Sequence, residues 1–117
     1  MDTMQFEAEL NDTFTADVVW NTLPYKAQGR TWGDELYFTI PEKLNLDLEN
    51  GQDIVETGDL GYWPAGNAFC VFYGPTPAST NERPRPASHV TVFGKVLGDA
   101  TRLREVKVDV VFVTRKE

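Results

Sequence analysis

Frequent turn residues constrain this chain more than any other feature, because they cut every hydrophobic pattern short. Met4, Phe6, Ala8 and Leu10 alternate with Gln5, Glu7 and Glu9 until Asn11 and Asp12 break the run. Leu36, Phe38 and Ile40 alternate with Glu35, Tyr37 and Thr39 as far as Pro41. Leu44, Leu46 and Leu48 alternate up to Glu49-Asn50-Gly51, and Val106, Val108, Val110 and Phe112 alternate near the end. A period of two sets one face on a core and leaves the other wet, so each run predicts a strand. Ile54-Val55 and Leu60–Trp63 read as further short strands, the second turned by Pro64–Asn67. Ala68–Tyr73 is apolar throughout, as a strand buried on both faces would be. His89–Leu97 carries Gly94 inside it, which predicts a bulge or bend.

One stretch has helical spacing. Asp12 or Thr13 can cap it, Ala16, Val19, Trp20 and Leu23 follow, and Pro24 cannot continue it. Residues 25–34 read as a polar turn region, and Gly74–Ser88, with four prolines and two arginines, as a long surface loop. About eight evenly spaced strands predict a mostly β fold. The expected architecture is a closed eight-stranded β-barrel with one or two short capping helices, since closure removes exposed edges.

At 117 residues the chain suits one domain, 1–117, able to bury a core without staples. Its formal charge of −7 repels phosphate backbones and anionic membranes, so neither nucleic acid nor a membrane is an expected partner. The N-terminal MDTMQFEAE has no basic start and no apolar h-region, and no run approaches the roughly 18 apolar residues of a membrane span. The single cysteine, Cys70, excludes an internal disulfide and fits a reducing, cytoplasmic setting. With one His and one Cys, no metal site and no cofactor are expected. Asp47, Glu49 and Asp53 read as a solvated acidic face. Ser79 and Ser88 have no partnered base, and Cys70 sits in an apolar run where a thiol stays un-ionised.

His89-Val90-Thr91-Val92-Phe93-Gly94-Lys95-Val96 resembles the His-Val-Val-Phe-Gly-Lys-Val strand of cyclophilins. Gly66–Phe72 is similar to their Asn-Gly-Ser-Gln-Phe-Phe strand, and Leu36–Pro41 to their Phe-His-Arg-Ile-Ile-Pro strand, in the same chain order. Trp32–Phe38 and Gly58–Pro77 resemble segments of the small prokaryotic cyclophilin-like proteins, and the likeness spans nearly the whole chain. It implies the eight-stranded barrel. It also implies a proline-accepting groove in which Phe72 lines the pocket, Cys70 shares its strand face, and Tyr62 and Trp63 lie on the preceding strand.

Prolyl isomerisation needs an apolar pocket and a donor to the prolyl nitrogen that weakens amide resonance. In the family that donor is an arginine, and Phe38 takes its place here. Arg30, Arg83 and Arg85 are the cations that could replace it. Counting back from Phe93 puts Val90, not His89, at the position of the family's histidine. Two readings follow. The first is a binding module with little or no isomerase activity, holding a proline-containing peptide or small apolar ligand among Phe38, Tyr62, Trp63, Cys70, Phe72 and His89. The second is a peptidyl-prolyl isomerase with a relocated arginine, Arg83 or Arg85. A purely structural role, and a dimer formed through a β edge, stay open.

Overall fold

In the computed structural model, which describes residues 4–116, the order is β1 (Glu7–Leu10), α1 (Phe14–Thr22), β2 (Tyr25–Gln28), β3 (Arg30–Thr31), β4 (Glu35–Thr39), β5 (Asp59–Trp63), β6 (Ala68–Phe72), β7 (Thr91–Leu97) and β8 (Val110–Val113). Short 3₁₀ turns at Pro64–Gly66 and Ala100–Glu105 complete it. Residues 1–3, the start of the stretch read for a leader, lie outside the described residues.

The helix begins and ends where its capping chemistry dictates. Thr13 is extended, and its hydroxyl accepts from the Ala16 amide at 3.0 Å. The Glu49 carboxylate, 34 or more residues away, accepts from the Phe14 and Thr15 amides at 2.9 Å each. Glu49 is therefore a second, long-range cap rather than part of an acidic face. Those amide bonds, Thr15 first, hold its carboxyl below the usual range. Leu23 returns to extended geometry before Pro24.

Six strands form one antiparallel sheet in the order β1-β7-β5-β6-β4-β3, and β2 pairs with β8 in a second. The fold is mostly β with one main helix, and the expected closed barrel is not formed. The break falls at Gly29. The chain passes straight from β2 into β3 there, but the β3–β4 ladder stops at Arg30↔Tyr37 and does not continue into β2, which pairs only on its other side, with β8. The ladder is thus split between β2 and β4. It is also open between β1 and β8, where an ion pair, Lys116 to Glu7 at 2.7 Å, joins β1 to the chain beyond β8.

The main sheet carries apolar residues on both faces. Leu36, Phe38, Leu60, Tyr62, Phe69, Val71 and Phe93 fill the inner one, with Ala16 and Val19 of α1. Phe38 stacks on Phe69 with centroids 4.8 Å apart, and Phe93 meets Phe69 edge-on at 5.0 Å. In β7 the register slips by one residue, from Gly61↔Val92 to Leu60↔Gly94, so Phe93 is the extra residue of a bulge. Gly94 has to be glycine. A Cβ there would lie 2.6 Å from the Glu9 carbonyl oxygen on β1.

Three expectations about elements are corrected. Residues 25–34, read as a turn region, hold β2, whose polar alternate residues are exposed, and β3, both of whose residues are exposed. Leu44, Leu46 and Leu48 make no strand. Asn45 and Asn50 have positive φ, and Leu44 and Leu46 pack on the inner core from an irregular segment. Ile54-Val55 likewise lies outside any strand, with only Gln52 bridging to Val90.

Asn67 ties the irregular segment down. Its Oδ1 accepts from the Leu44 amide (3.1 Å) and the Tyr62 hydroxyl (3.0 Å), and its Nδ2 donates to the Ile40 (3.1 Å) and Glu42 (3.0 Å) carbonyls. It also occupies the left-handed region at φ 47°, which asparagine tolerates. Asn67→Ala should cost about 2 kcal/mol in urea unfolding, from four lost bonds that are partly exposed to water. Asn67→Asp should not restore it, because a carboxylate cannot donate to two carbonyls.

Candidate functional site

Alternate residues of β6 face away from the inner core. Ala68, Cys70 and Phe72 pack there with Val55 and Val90, flanked by Tyr37, Trp63 and Val92. Phe72 is 0% exposed. Its ring lies over β5, where a Cβ on Gly61 would come within 2.9 Å of Cε2 and 3.2 Å of a Val90 methyl. The bare backbone of Gly61 thus makes room for the ring. Of the residues the sequence pointed to, this outer face brings together Cys70, Phe72 and Trp63.

Phe38 and Tyr62 point the other way, into the inner core, because they sit one residue out of phase with that face. On β4 the residue paired with Cys70 is Tyr37. His89 is exposed beside Gly51, and Val90 is the buried member of the pair. Trp63 is half-buried and donates from its ring nitrogen to Ser88.

The 74–88 segment lies against this face. Pro84 is fully buried, and its carbonyl accepts from Val55, a member of the outer cluster, at 3.0 Å. The Ser79 hydroxyl knots the loop, accepting from the Thr76 and Arg85 amides and donating to the Arg83 carbonyl at 2.8 Å. The Arg83 guanidinium is engaged by Glu56. Arg85 is half-buried, and its carbonyl accepts from the Thr76 hydroxyl.

One residue on this face escaped sequence reasoning. Glu35 pairs across the ladder with Phe72, is only 6% exposed, and has the Cys70 thiol as a neighbour. Its Oε1 is buried without a hydrogen-bond partner. Burial raises its pKa from 4.5 to about 7, with the Cys70 contact opposing. Burial and the adjacent Glu35 together push the Cys70 thiol well up, so it stays protonated. The alternation of 35–40 was the only signal for Glu35, and it places that residue on the same face as Tyr37.

An open cleft lies instead at the split between β2 and β4. It measures about 360 Å³ and is bounded by Lys26, Ala27, Gln28, Arg30, Tyr37, Phe38, Thr39 and Pro41. The hydrogen-bond phase of the ladders shows what faces it. Gly29 N–H donates to the Asp109 carbonyl (2.7 Å), so Ala27 and Tyr25 turn their backbone groups to β8, and Lys26 and Gln28 turn theirs toward β4. Ile40 N–H donates to the Asn67 carbonyl (2.9 Å), so Thr39 turns its backbone groups toward β2. Gln28 and Thr39 would form the next ladder pair if the sheet closed, and β2 and β4 share no ladder bonds.

The cleft is also cationic. None of its lining residues is acidic, and neither Lys26 nor Arg30 has a carboxylate within 4.0 Å among the described residues. The Lys26 ammonium sits 5.8 Å from the centroid of Phe112, which is 71% exposed. A smaller recess of about 280 Å³ lies between Lys43–Asp47 and Pro64–Asn67. Among the described residues no group of three or more His, Cys, Asp or Glu side chains could hold a metal, and no helix is long and apolar enough to cross a membrane.

No curated protein matches the chain. The solution structure of a hypothetical protein from Archaeoglobus fulgidus is similar to it, with a TM-score of 0.78 at 37% identity, covering 95% of this chain and 86% of that one. A family model described as Cyclophilin-like matches residues 1–114, across both sheets and the bulged β7, which holds most of the His89–Val96 motif that resembles that of cyclophilins. The chain belongs to the cyclophilin-like family.

Proposed function

We propose that this protein is a binding module with little or no isomerase activity, and that it holds a peptide or small, partly apolar ligand in the cleft between β2 and β4. The observation that carries this reading is the composition of the 360 Å³ opening: apolar Ala27 and Pro41 beside the buried Phe38, the Tyr37 ring, and two cations without acidic partners. Ligand sites combine apolar surface with polar anchors, and here Lys26, Gln28, Arg30 and Thr39 share the lining with Ala27, Tyr37 and Pro41. The Phe72 face supports it less, because Phe72, Cys70 and Val90 are buried and the 74–88 segment packs beside them.

The isomerase reading keeps one specific argument. Arg83 is tied to Glu56, whereas the Arg30 guanidinium stands at an open cleft beside an aromatic side chain. Catalysis would need that donor held rigidly against a prolyl nitrogen inside an apolar pocket. Arg30 is exposed and no hydrogen bond fixes it among the described residues.

The test is an amide-resolved NMR titration with acetyl-Ala-Ala-Pro-Phe, run beside a protease-coupled isomerisation assay. The expected result is movement of the Gln28, Arg30 and Thr39 amides together with turnover at background. Turnover that disappears in Arg30→Ala would make the protein an isomerase. Shifts confined to Cys70, Phe72 and Val90 would move the site to the outer face.

A further inference from the structure

We propose that β8 is a self-association edge, along which two copies of this chain join antiparallel about a two-fold axis at Phe112. The backbone sets the first condition. Gly29 N–H donates to the Asp109 carbonyl, so Asp109, Val111 and Val113 turn their backbone groups to β2. Val110, Phe112 and, in the same phase, Thr114 turn theirs the other way, where β8 has no ladder partner among the described residues. Each outward residue offers an N–H and a C=O side by side, which a second strand satisfies together and a lone ion does not.

The side chains set the second condition. Other strands at the margins of the two sheets are guarded by charge or cut short. β1 carries Glu7 and Glu9, β2 carries Lys26, and β3 is two residues long. β8 reads Val-Val-Phe-Val, without a charge, a proline or a bulge. Phe112, at 71%, is the most exposed large apolar side chain among the described residues, and Val110, at 50%, shares its face. Joining two such strips removes apolar surface from water while pairing the edge.

Charge selects both the partner and the register. The phase allows a two-fold axis only at a residue, because an axis between residues would set an outward backbone against an inward one. An axis at Phe112 places Asp109 of each chain opposite Arg115 of the other, since both lie three residues from it. Both side chains are exposed, and they fall at non-hydrogen-bonded positions, where facing side chains approach most closely. Arg115 is already held beside the edge: its Nε donates to the Trp20 carbonyl at 2.9 Å, and its guanidinium lies 5.6 Å from the Trp20 ring centroid. An axis at Val111 would instead set Lys107 opposite Arg115, and one at Val113 would set Arg115 opposite Val111. A surface that complements itself in this way is what an isologous pair requires, and only a second copy brings the matching charges in the matching order. The partner enters at the opening between β8 and β1, displacing the exposed Lys116–Glu7 ion pair, which is a small loss. The β2–β4 cleft stays open, because β8 joins through the edge away from β2.

The experiment is analytical sedimentation of the full chain from micromolar to millimolar concentration. A rise from the mass of one chain to that of two is expected. Phe112→Lys should abolish the rise and keep the far-UV circular dichroism of the parent, since residue 112 is exposed. Asp109→Arg and Arg115→Asp should each weaken association roughly tenfold, because each change acts twice about the axis, and the double exchange should recover it. With oxidised glutathione, Phe112→Cys should crosslink to its own copy and Val110→Cys should not, because only residue 112 faces itself at a Cα spacing a disulfide spans. Cys70 is buried and does not compete. A chain that keeps a single mass up to millimolar concentration overturns the proposal, and so does a pair indifferent to Phe112→Lys. A double exchange that recovers nothing, or a crosslink at residue 110 in place of 112, overturns the Phe112 axis. Amide-to-amide contacts between β8 and β1 within a monomer would show that the chain closes this edge on itself.

Discussion

Phe72→Ala should lower the unfolding free energy by about 3–5 kcal/mol and leave ligand affinity at the β2–β4 cleft unchanged. The ring is 0% exposed and packs with Val55, Ala68, Cys70 and Val90. It fills the space above Gly61, so removing it opens a cavity whose walls are other strands, and a sheet ladder collapses poorly into such a space. The upper part of the range follows from that rigidity. Phe72→Leu keeps most of the volume and should cost about 1–2 kcal/mol. Urea unfolding measures both variants, and the cleft titration measures the rest. A loss below about 1 kcal/mol, combined with abolished binding, would mean that the ring lines an accessible pocket and is not core.

The fate of Phe72 shows what a sequence of this kind reveals. Alternation places β4, and short apolar runs between turn residues place β5, β6 and β7, each within about two residues, while Gly94 betrays the bulge, because local sterics and burial fix these features. The capped helix is equally legible: Thr13 and Pro24 act within one turn of where they stand. The split of the sheet is not. On one side β2 pairs with β8, with Val110 opposite Gln28 and 82 residues farther along the chain, while its other side toward Thr39 stays unpaired, and no local pattern encodes that arrangement. The same limit hid β2 and β3 inside an apparent turn region.

Site residues fared unevenly for a related reason. The family likeness names strands correctly, but a one-residue phase difference decides which face a side chain occupies. Tyr62 and Phe38 therefore fall on the inner core while Tyr37 stands beside Cys70. Arg30 and Lys26 drew little notice because a lone cation in sequence looks like solvated surface, and only the topology brings the two to one opening without acidic neighbours. Glu49 shows the converse. It reads as part of an acidic run, and its role as a helix cap depends on a contact 34 residues away.

The strongest pH response should come from Glu35, the one buried carboxyl with an unpartnered oxygen among the described residues. Its pKa in the folded protein is raised from 4.5 to about 7, chiefly by desolvation, because the charged form loses water and gains no cation. The sign follows from proton binding. Below about pH 4.5 the group is protonated in both folded and unfolded chains and imposes no penalty. Between 4.5 and 7 the native state binds more protons than the unfolded state, so stability falls as pH rises. Above about pH 7 the penalty levels off at roughly 3 kcal/mol. Glu35→Gln keeps the shape and removes the charge, so its stability should be flat across this window and exceed that of the parent at pH 8 by a comparable amount. Urea midpoints from pH 4.5 to 8.5 test this. A parent whose stability rises through the window would show that Glu35 is ionised in a site that stabilises the charge. In that case a donor or cation reaches its free Oε1, and the outer face, not the β2–β4 split, becomes the place to look for a ligand.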